Sequence, residues 1–243
     1  CLDDSNVQPL IPAVKKRFVT YGLNSQADYC AFDIRHDQLA TTFVPSFKGQ
    51  KIGEVTLNLP GKHNVLNSLA TIAVARELDL PFDDILAALN GFGGVQRRFQ
   101  IRHEDEEIMV VDDYGHHPTE VKATLAAARS GWERRLVVVF QPHRYTRTKA
   151  LFDEFLTAFY NADLLILMDI YPAGEEAIEG VSARALAEGI SRHGHRNCVY
   201  RPGQQEAVEH LLSEVKPGDM VLTLGAGNVY QVGDLFLRRR CGA

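Results

Sequence analysis

Apolar and polar residues alternate over short stretches at the start of the chain. Val55, Leu57 and Leu59 fall on one side of a strand with polar residues between them, and Arg17–Tyr21 is likewise β-rich. Arg17 to Pro60 therefore reads as short strands, the last broken by Pro60-Gly61. The spacing then changes. Asn64 to Leu78 carries Leu66, Leu69, Ala70, Ala73 and Val74 at helical intervals, which predicts a helix with that stripe inward. A second short helix is expected over Phe82–Leu89, with Asp83 and Asp84 near its positive end. Gly91, Gly93 and Gly94 follow as a flexible joint, so the domain boundary is placed near Val95, dividing the chain into 1–95 and 96–243.

The second part alternates apolar runs with amphipathic stretches. Strands are expected at Ile108–Val111, Leu136–Phe140, Leu164–Asp169, Cys198–Tyr200 and Met220–Leu224. Helices are expected at Pro118–Ala128, Lys149–Tyr160, Ser182–Ser191, Gln204–Leu212 and Val229–Arg238. Strands apolar on both faces, separated by helices, imply a mostly parallel α/β sheet covered on both sides. Such sheets bind ligands beyond the carboxyl ends of their strands.

Composition narrows the function. With 45% hydrophobic and 23% charged residues the chain is ordinary globular material. A net charge of −5 argues against nucleic acid as a partner. Cys1, Cys30, Cys198 and Cys241 have no paired spacing, which speaks against a zinc site or disulfide framework and fits a reducing cytoplasm. The longest apolar runs are too short to cross a membrane, and no secretory signal is visible. The chain begins at Cys1 rather than Met, which leaves room for sequence upstream.

The polar clusters fall where sites fall. Asp112-Asp113-Tyr114-Gly115-His116-His117-Pro118 follows one strand and could hold a cation, a sugar hydroxyl or an amine; the bland alternative is a capped helix start. Gln141 to Thr148 follows the next, and Arg144 and Arg147 could converge on a carboxylate or phosphate. Taken alone, a basic surface loop explains that segment about as well. Asn64 and Asn67 share one helix face and could read an adenine edge, although an N-cap explains either one more simply. Arg97-Arg98-Phe99 could reach phosphates or form a solvated basic pair. Gly225-Ala226-Gly227-Asn228 lacks the third glycine of a dinucleotide fingerprint and reads as a tight turn.

GKHNVLNSLA, GVQRRF, VDDYGHHPTEV, FQPHRYTRT, DIYPAGE and GAGN, in that order, resemble the Mur ligases from about Asn58 to the last helix. Within that family they look most like the branch that joins L-alanine to UDP-N-acetylmuramic acid. The branch that recycles murein tripeptide is the runner-up, with Phe-Ala expected in place of Tyr114-Gly115.

The resemblance implies a Rossmann-like C-terminal domain preceded by part of a central ATPase domain. The family's P-loop, its phosphate-binding Lys, its Mg²⁺ ligands and its UDP-sugar domain have no counterpart in this sequence, so the chain is expected to be inactive alone. The implied reaction uses ATP and Mg²⁺ to phosphorylate the muramic acid carboxylate, and the amine of L-alanine then attacks the acyl phosphate. By the resemblance, His63, Asn64 and Asn67 flank the adenine, Arg98 reaches the phosphates and Asp113 holds the ribose. Tyr114 lies where nucleotide and alanine meet. His116, His143, Arg144 and Arg147 line the alanine and acyl-phosphate pocket, with either arginine a candidate for the alanine carboxylate. A site shared by two domains would account for the glycine joint, since closure excludes water from an acyl phosphate. Two other readings are a non-catalytic nucleotide or amino-acid binding module and a metal-dependent hydrolase using His116, His117 and His143.

Overall fold

A computed structural model describes residues 1–241, except the side chain of Cys241, so the expectation that this cysteine belongs to no zinc site or disulfide lies outside the described residues. The chain divides into two compact units, Cys1–Gly94 and Val95–Ala243.

Unit 1 opens with a 3₁₀ helix, Gln8–Ala13, and then builds a five-stranded sheet. Strands β1 (Tyr21–Gly22), β2 (Tyr29–Asp37), β3 (Ala40–Phe47) and β4 (Gln50–Lys51) lie in that order, and β5 (Val55–Leu57) also pairs with β3. Most of Arg17–Tyr21 lies outside any strand, and the dominant hairpin is β2–β3. A register shift between Phe32 and Arg35 interrupts β2, so no clean alternation marks it in the sequence.

Helices α1 (Lys62–Glu77) and α2 (Phe82–Asn90) complete unit 1. The buried face of α1 is Val65, Ser68, Leu69, Ile72 and Ala73, which meets Phe43, Val55 and Leu57. This corrects the expected stripe: Val74 is 62% exposed. Two overlapping stripes at helical spacing are both apolar, and the sheet selects the one that fits against Phe43. Gly61, with φ 95°, is the N-cap of α1, so neither asparagine serves as the cap.

Unit 2 is the parallel α/β layer the pattern implies. Its strands are β6 (Gln100–Glu104), β7 (Ile108–Asp113), β8 (Leu136–Phe140), β9 (Leu164–Leu167), β10 (Cys198–Tyr200) and β11 (Asp219–Leu224). Its helices are α3 (Pro118–Gly131), α4 (Tyr145–Ala150), α5 (Phe152–Phe155), α6 (Ala183–Arg192), α7 (Gln204–Glu214) and α8 (Tyr230–Cys241). The single helix expected over Lys149–Tyr160 is instead α4 and α5, beginning earlier and interrupted at Leu151.

The sheet order is β10-β9-β8-β11-β7-β6, parallel except for β6, which runs antiparallel at the edge. Every residue of β7, β8, β9 and β11 is buried, as covering on both faces requires. Val137, Val139, Ile166 and Val221 pack beneath Val208 and Phe236 of α7 and α8. On the other face Phe140 meets Phe155 and Phe159, with centroids 5.5 and 4.9 Å away. The last strand, β11, inserts between β7 and β8, setting Leu224 level with both Asp113 and Phe140. Three loops therefore leave the sheet side by side at one height. Among the described residues no helix is long and apolar enough to cross a membrane.

Candidate active site

The loop after β7 is built around Asp113. This carboxylate is 4% exposed and accepts the backbone N–H of Phe99 at 2.8 Å and of Gly115 at 2.7 Å. Burial raises its pKa; the two amides and Arg98 oppose that rise without cancelling it. Asp113 thus holds the turn, and only its remaining lone pairs are left for a ribose. A Cβ on residue 115 would sit 2.9 Å from Asp113 Oδ1, so glycine is required there for space.

His117 caps α3: its Nδ1 accepts the Thr119 N–H at 3.3 Å. Glu120 Oε2 reaches back to the amides of His116 and His117 at 3.0 and 3.1 Å, completing a capping box with Pro118 in the first turn. Burial pushes the Glu120 carboxyl up, but those amides, with His116 and Arg98, outweigh it and leave it below the usual range. Because His117 is committed to the cap, the hydrolase reading loses one of its three imidazoles. Among the described residues no group of three or more His, Cys, Asp or Glu is placed to hold a metal ion.

With its neighbour fixed, His116 turns toward the middle of the sheet. Its Nδ1 lies 3.0 Å from the Tyr114 carbonyl, to which it donates, leaving the lone pair on Nε2 in the neutral ring. The Tyr114 ring stands edge-on to it at 5.5 Å. The His143 ring is 5.6 Å away.

His143 comes from the loop after β8 and is gripped on two sides. Arg147 Nη1 donates to its carbonyl at 3.0 Å and to its Nδ1 at 3.2 Å, which assigns the ring proton to Nε2. Tyr171, from the loop after β9, stacks on the ring at 5.4 Å with planes 12° apart. Burial lowers the His143 pKa, and the positive charge of His116 when protonated and of Arg147 and Arg144 lowers it further, so the ring is neutral near pH 7.

Arg144 takes φ 74°, ψ 136°, a conformation rare outside glycine and expected where a site holds strain. Its backbone N–H donates to the Tyr171 carbonyl at 2.8 Å. Its side chain is 49% exposed and pairs with Glu175 at 3.7 Å. Of the two arginines, Arg144 is the freer.

Arg97 and Arg98 behave differently although adjacent. Arg98 is 48% exposed, lies 3.5 Å from Glu120 and leans over the Tyr114 ring. Arg97 is tied down: Nε donates to buried Asp112 at 2.8 Å, Nη2 to the Gly225 carbonyl at 2.7 Å and Nη1 to the Gly227 carbonyl at 3.3 Å. It also lies over the rings of Tyr114 and Tyr230. Nothing in the residue order distinguishes the structural arginine of the pair; a positive φ of 58° at Arg97 is visible only in the structure. The glycines of 225–227 serve packing, since a Cβ on Gly227 would meet Gln141 Oε1 at 2.4 Å and the Tyr171 ring at 2.8 Å. Tyr171 and Glu175 both lie in the DIYPAGE segment, where no spacing or pattern marks either as a site residue.

In unit 1, His63, Asn64 and Asn67 occupy the start of α1. Asn64 Nδ2 donates to the Pro60 carbonyl at 2.8 Å, and Asn67 Nδ2 donates to Asn64 Oδ1 at 3.3 Å, so the two amides share one face. The thiols of Cys1, Cys30 and Cys198 are free; burial pushes Cys198 up to about 11, which makes it unreactive.

Residues 97–227 match the family described as Mur ligase, glutamate ligase domain, and residues 1–75 match the Mur ligase middle domain. The UDP-N-acetylmuramate–L-alanine ligase of Geotalea daltonii is 63% identical over 239 residues, covering 98% of this chain and 52% of that protein. The solved UDP-N-acetylmuramate-alanine ligase MurC of Thermotoga maritima superposes with a TM-score of 0.77 at 27% identity, over 92% of this chain and 48% of that one. The MurF ligase of Thermotoga maritima, solved in complex with ADP, shares the fold with a TM-score of 0.73 at 20% identity, over 98% of this chain and 53% of that one. The chain spans about half the length of the relatives it matches. These matches, together with the strand-end cluster of histidines and arginines, place the chain in the Mur ligase family.

Proposed function

We propose that this chain is the middle and C-terminal portion of a cytoplasmic, ATP-dependent amide ligase that joins L-alanine to UDP-N-acetylmuramic acid in peptidoglycan precursor synthesis. The relatives with this activity in their names support the substrates. The observation that carries the chemistry is the facing pair of imidazoles, His116 and His143, flanked by Arg144 and Arg147.

A carboxylate is a poor electrophile. Transfer of the γ-phosphoryl group of ATP to the muramic acid carboxylate releases ADP and leaves an acyl phosphate. The amine of L-alanine then attacks the carbonyl carbon, a proton is lost, and the bond to phosphate breaks to give amide and phosphate. Arg144 binds the alanine carboxylate through guanidinium donors left over from Glu175. Nε2 of His116 takes the amine's proton. The Nε2–H of His143 and the guanidinium of Arg147 donate to the oxygens that gain charge in the tetrahedral intermediate. Tyr114 and Arg98 border the phosphates, and Asp113 reaches the ribose through a lone pair its two amide bonds leave open. In unit 1, His63, Asn64 and Asn67 hold the adenine. A bound Mg²⁺ would supply neutralising charge at the ATP phosphates.

The test is ligation by the complete enzyme, measured as alanine-dependent phosphate release. His116→Ala is expected to lower kcat by about 10²–10⁴-fold with Tm unchanged, and Arg144→Ala to abolish ligation at ordinary alanine concentrations. Normal turnover in both variants overturns the assignment. Titration of this chain alone with ATP and L-alanine is expected to give no tight binding; tight binding would favour a binding module instead.

A further inference from the structure

The segment that leaves β9 crosses the loop after β8 and is fastened along its length. Near β9, Asp169 Oδ1 accepts the Tyr200 hydroxyl of β10 at 2.5 Å. In the middle, Tyr171 N–H donates to the Pro142 carbonyl at 2.8 Å, Arg144 N–H donates to the Tyr171 carbonyl at 2.8 Å, and the Tyr171 ring covers His143. A turn through Ala173 (φ 49°) and Gly174 (φ 85°) then brings Glu175 back onto the start of α4. Glu175 Oε2 accepts the Thr146 N–H at 3.0 Å, and Oε1 accepts the Thr146 hydroxyl at 2.6 Å. The same Oε1 lies 3.7 Å from Arg144 Nη1.

We propose that Glu175 is a positioning residue that fixes how tightly the site binds the carboxylate of the incoming amino acid, acting through Arg144. This rests on Arg144 being the carboxylate ligand. Three features carry it. The short bonds of Glu175 go to Thr146, two residues after Arg144, and they lock the helix start that bears the strained Arg144 backbone. The longer contact engages one Nη of the guanidinium, leaving Nε and the other Nη for a ligand. An arginine that is 49% exposed would otherwise spread over many rotamers, and ordering it in advance lowers the entropic cost of binding. Glu175 is itself 19% exposed and held by Thr146, so it serves as a fixed anchor. Because the effect falls on holding the amino acid before reaction, it belongs to KM for alanine and leaves kcat little changed.

A double-mutant cycle in the complete ligase tests this, reading KM for L-alanine, kcat and Tm. Glu175→Gln keeps shape and one acceptor oxygen. It is expected to raise alanine KM about tenfold with kcat within about twofold, the loss of one hydrogen bond to a charged group. In an Arg144→Ala background the same change is expected to add less than about twofold, the mark of a shared effect. Thr146→Val, which loosens Glu175 without touching its charge, is expected to raise alanine KM about threefold, in the range of one neutral hydrogen bond. If Arg144→Ala raises alanine KM and Glu175→Gln does not, the positioning role is overturned while the carboxylate assignment stands. A Glu175→Gln penalty undiminished without Arg144 overturns it too. If Arg144→Ala leaves alanine KM unchanged, the carboxylate assignment itself fails, and the positioning role with it.

Discussion

His116 and His143 stand ring to ring, centroids 5.6 Å apart and planes tilted by 53°, although they project from β7 and β8, which β11 separates. Strands two places apart are about 10 Å apart, so both side chains must reach inward over the middle strand to meet. Each ring is set in a single tautomer by its neighbour: the Tyr114 carbonyl for His116, and Arg147 for His143. The pair therefore offers a lone pair on one ring and an N–H on the other.

The Arg147 contact predicts that lysine cannot replace arginine here. Nη1 serves both the carbonyl and Nδ1 of His143 from the end of a rigid guanidinium plane, one bond farther from the backbone than the flexible ammonium of a lysine would reach. Arg147→Lys is expected to lower kcat of the complete ligase by about 10–100-fold, as loss of an orienting partner does. Nitrogen NMR of His143 should then show a mixture of ring tautomers. A single unchanged tautomer with normal kcat would remove the orienting role.

Arg97 and Arg98 should separate cleanly in stability. Arg97→Ala leaves Asp112 buried with Thr223 as its remaining partner and abandons the carbonyls of Gly225 and Gly227. A loss of about 2–4 kcal/mol is expected, a little below a fully buried pair because Arg97 is 23% exposed. Arg98→Ala removes an exposed contact and should cost less than about 1 kcal/mol. Urea unfolding followed by the one tryptophan, Trp132, which stacks on Phe99 at 5.2 Å, reports both.

Gly115→Ala should destabilise by about 1–3 kcal/mol, the range for forcing a methyl into filled space. The new carbon would press on Asp113 Oδ1 and on Glu120 Cβ, 2.9 and 3.4 Å away. Unchanged unfolding midpoints would mean that the Asp113 turn has room to yield.

Acid should weaken unit 2 through its buried histidines. Burial lowers the pKa of His143, His195 and His210 below the ordinary 6.5, with neighbouring positive charges adding to the fall at His143 and His210. Neither nitrogen of His195 has a hydrogen-bond partner, although the carbonyls of Ala162 and Phe159 face the ring and partly oppose the shift. The unfolded chain therefore binds more protons than the folded one from pH 6.5 down to the lowered values. Stability rises with pH across that window and falls on acidification. Urea midpoints measured from pH 7.5 to 5 should fall, and His195→Gln should flatten the slope. A flat profile in the parent chain would contradict the burial argument.

The order of residues alone marks out the parallel sheet of unit 2. Ile108–Val111, Leu136–Phe140 and Met220–Leu224 are continuous apolar runs because both faces of each strand are covered, and burial on both sides is written in every residue. It also placed the polar clusters at the ends of those runs. What it left open depends on contacts between distant residues. The insertion of β11 between β7 and β8, which brings three loops together, leaves no local signature. The edge strand β6, Gln100–Glu104, is polar and partly exposed, and β2 is interrupted by its bulge, so neither shows a period. Val74 could have faced in or out of α1 until Phe43 and its neighbours selected the other stripe. Likewise two adjacent arginines look alike until Asp112 and the Gly225 carbonyl capture one of them. Hydrophobic periodicity encodes how deeply a residue is buried; which partner it meets there is decided only when the chain closes on itself.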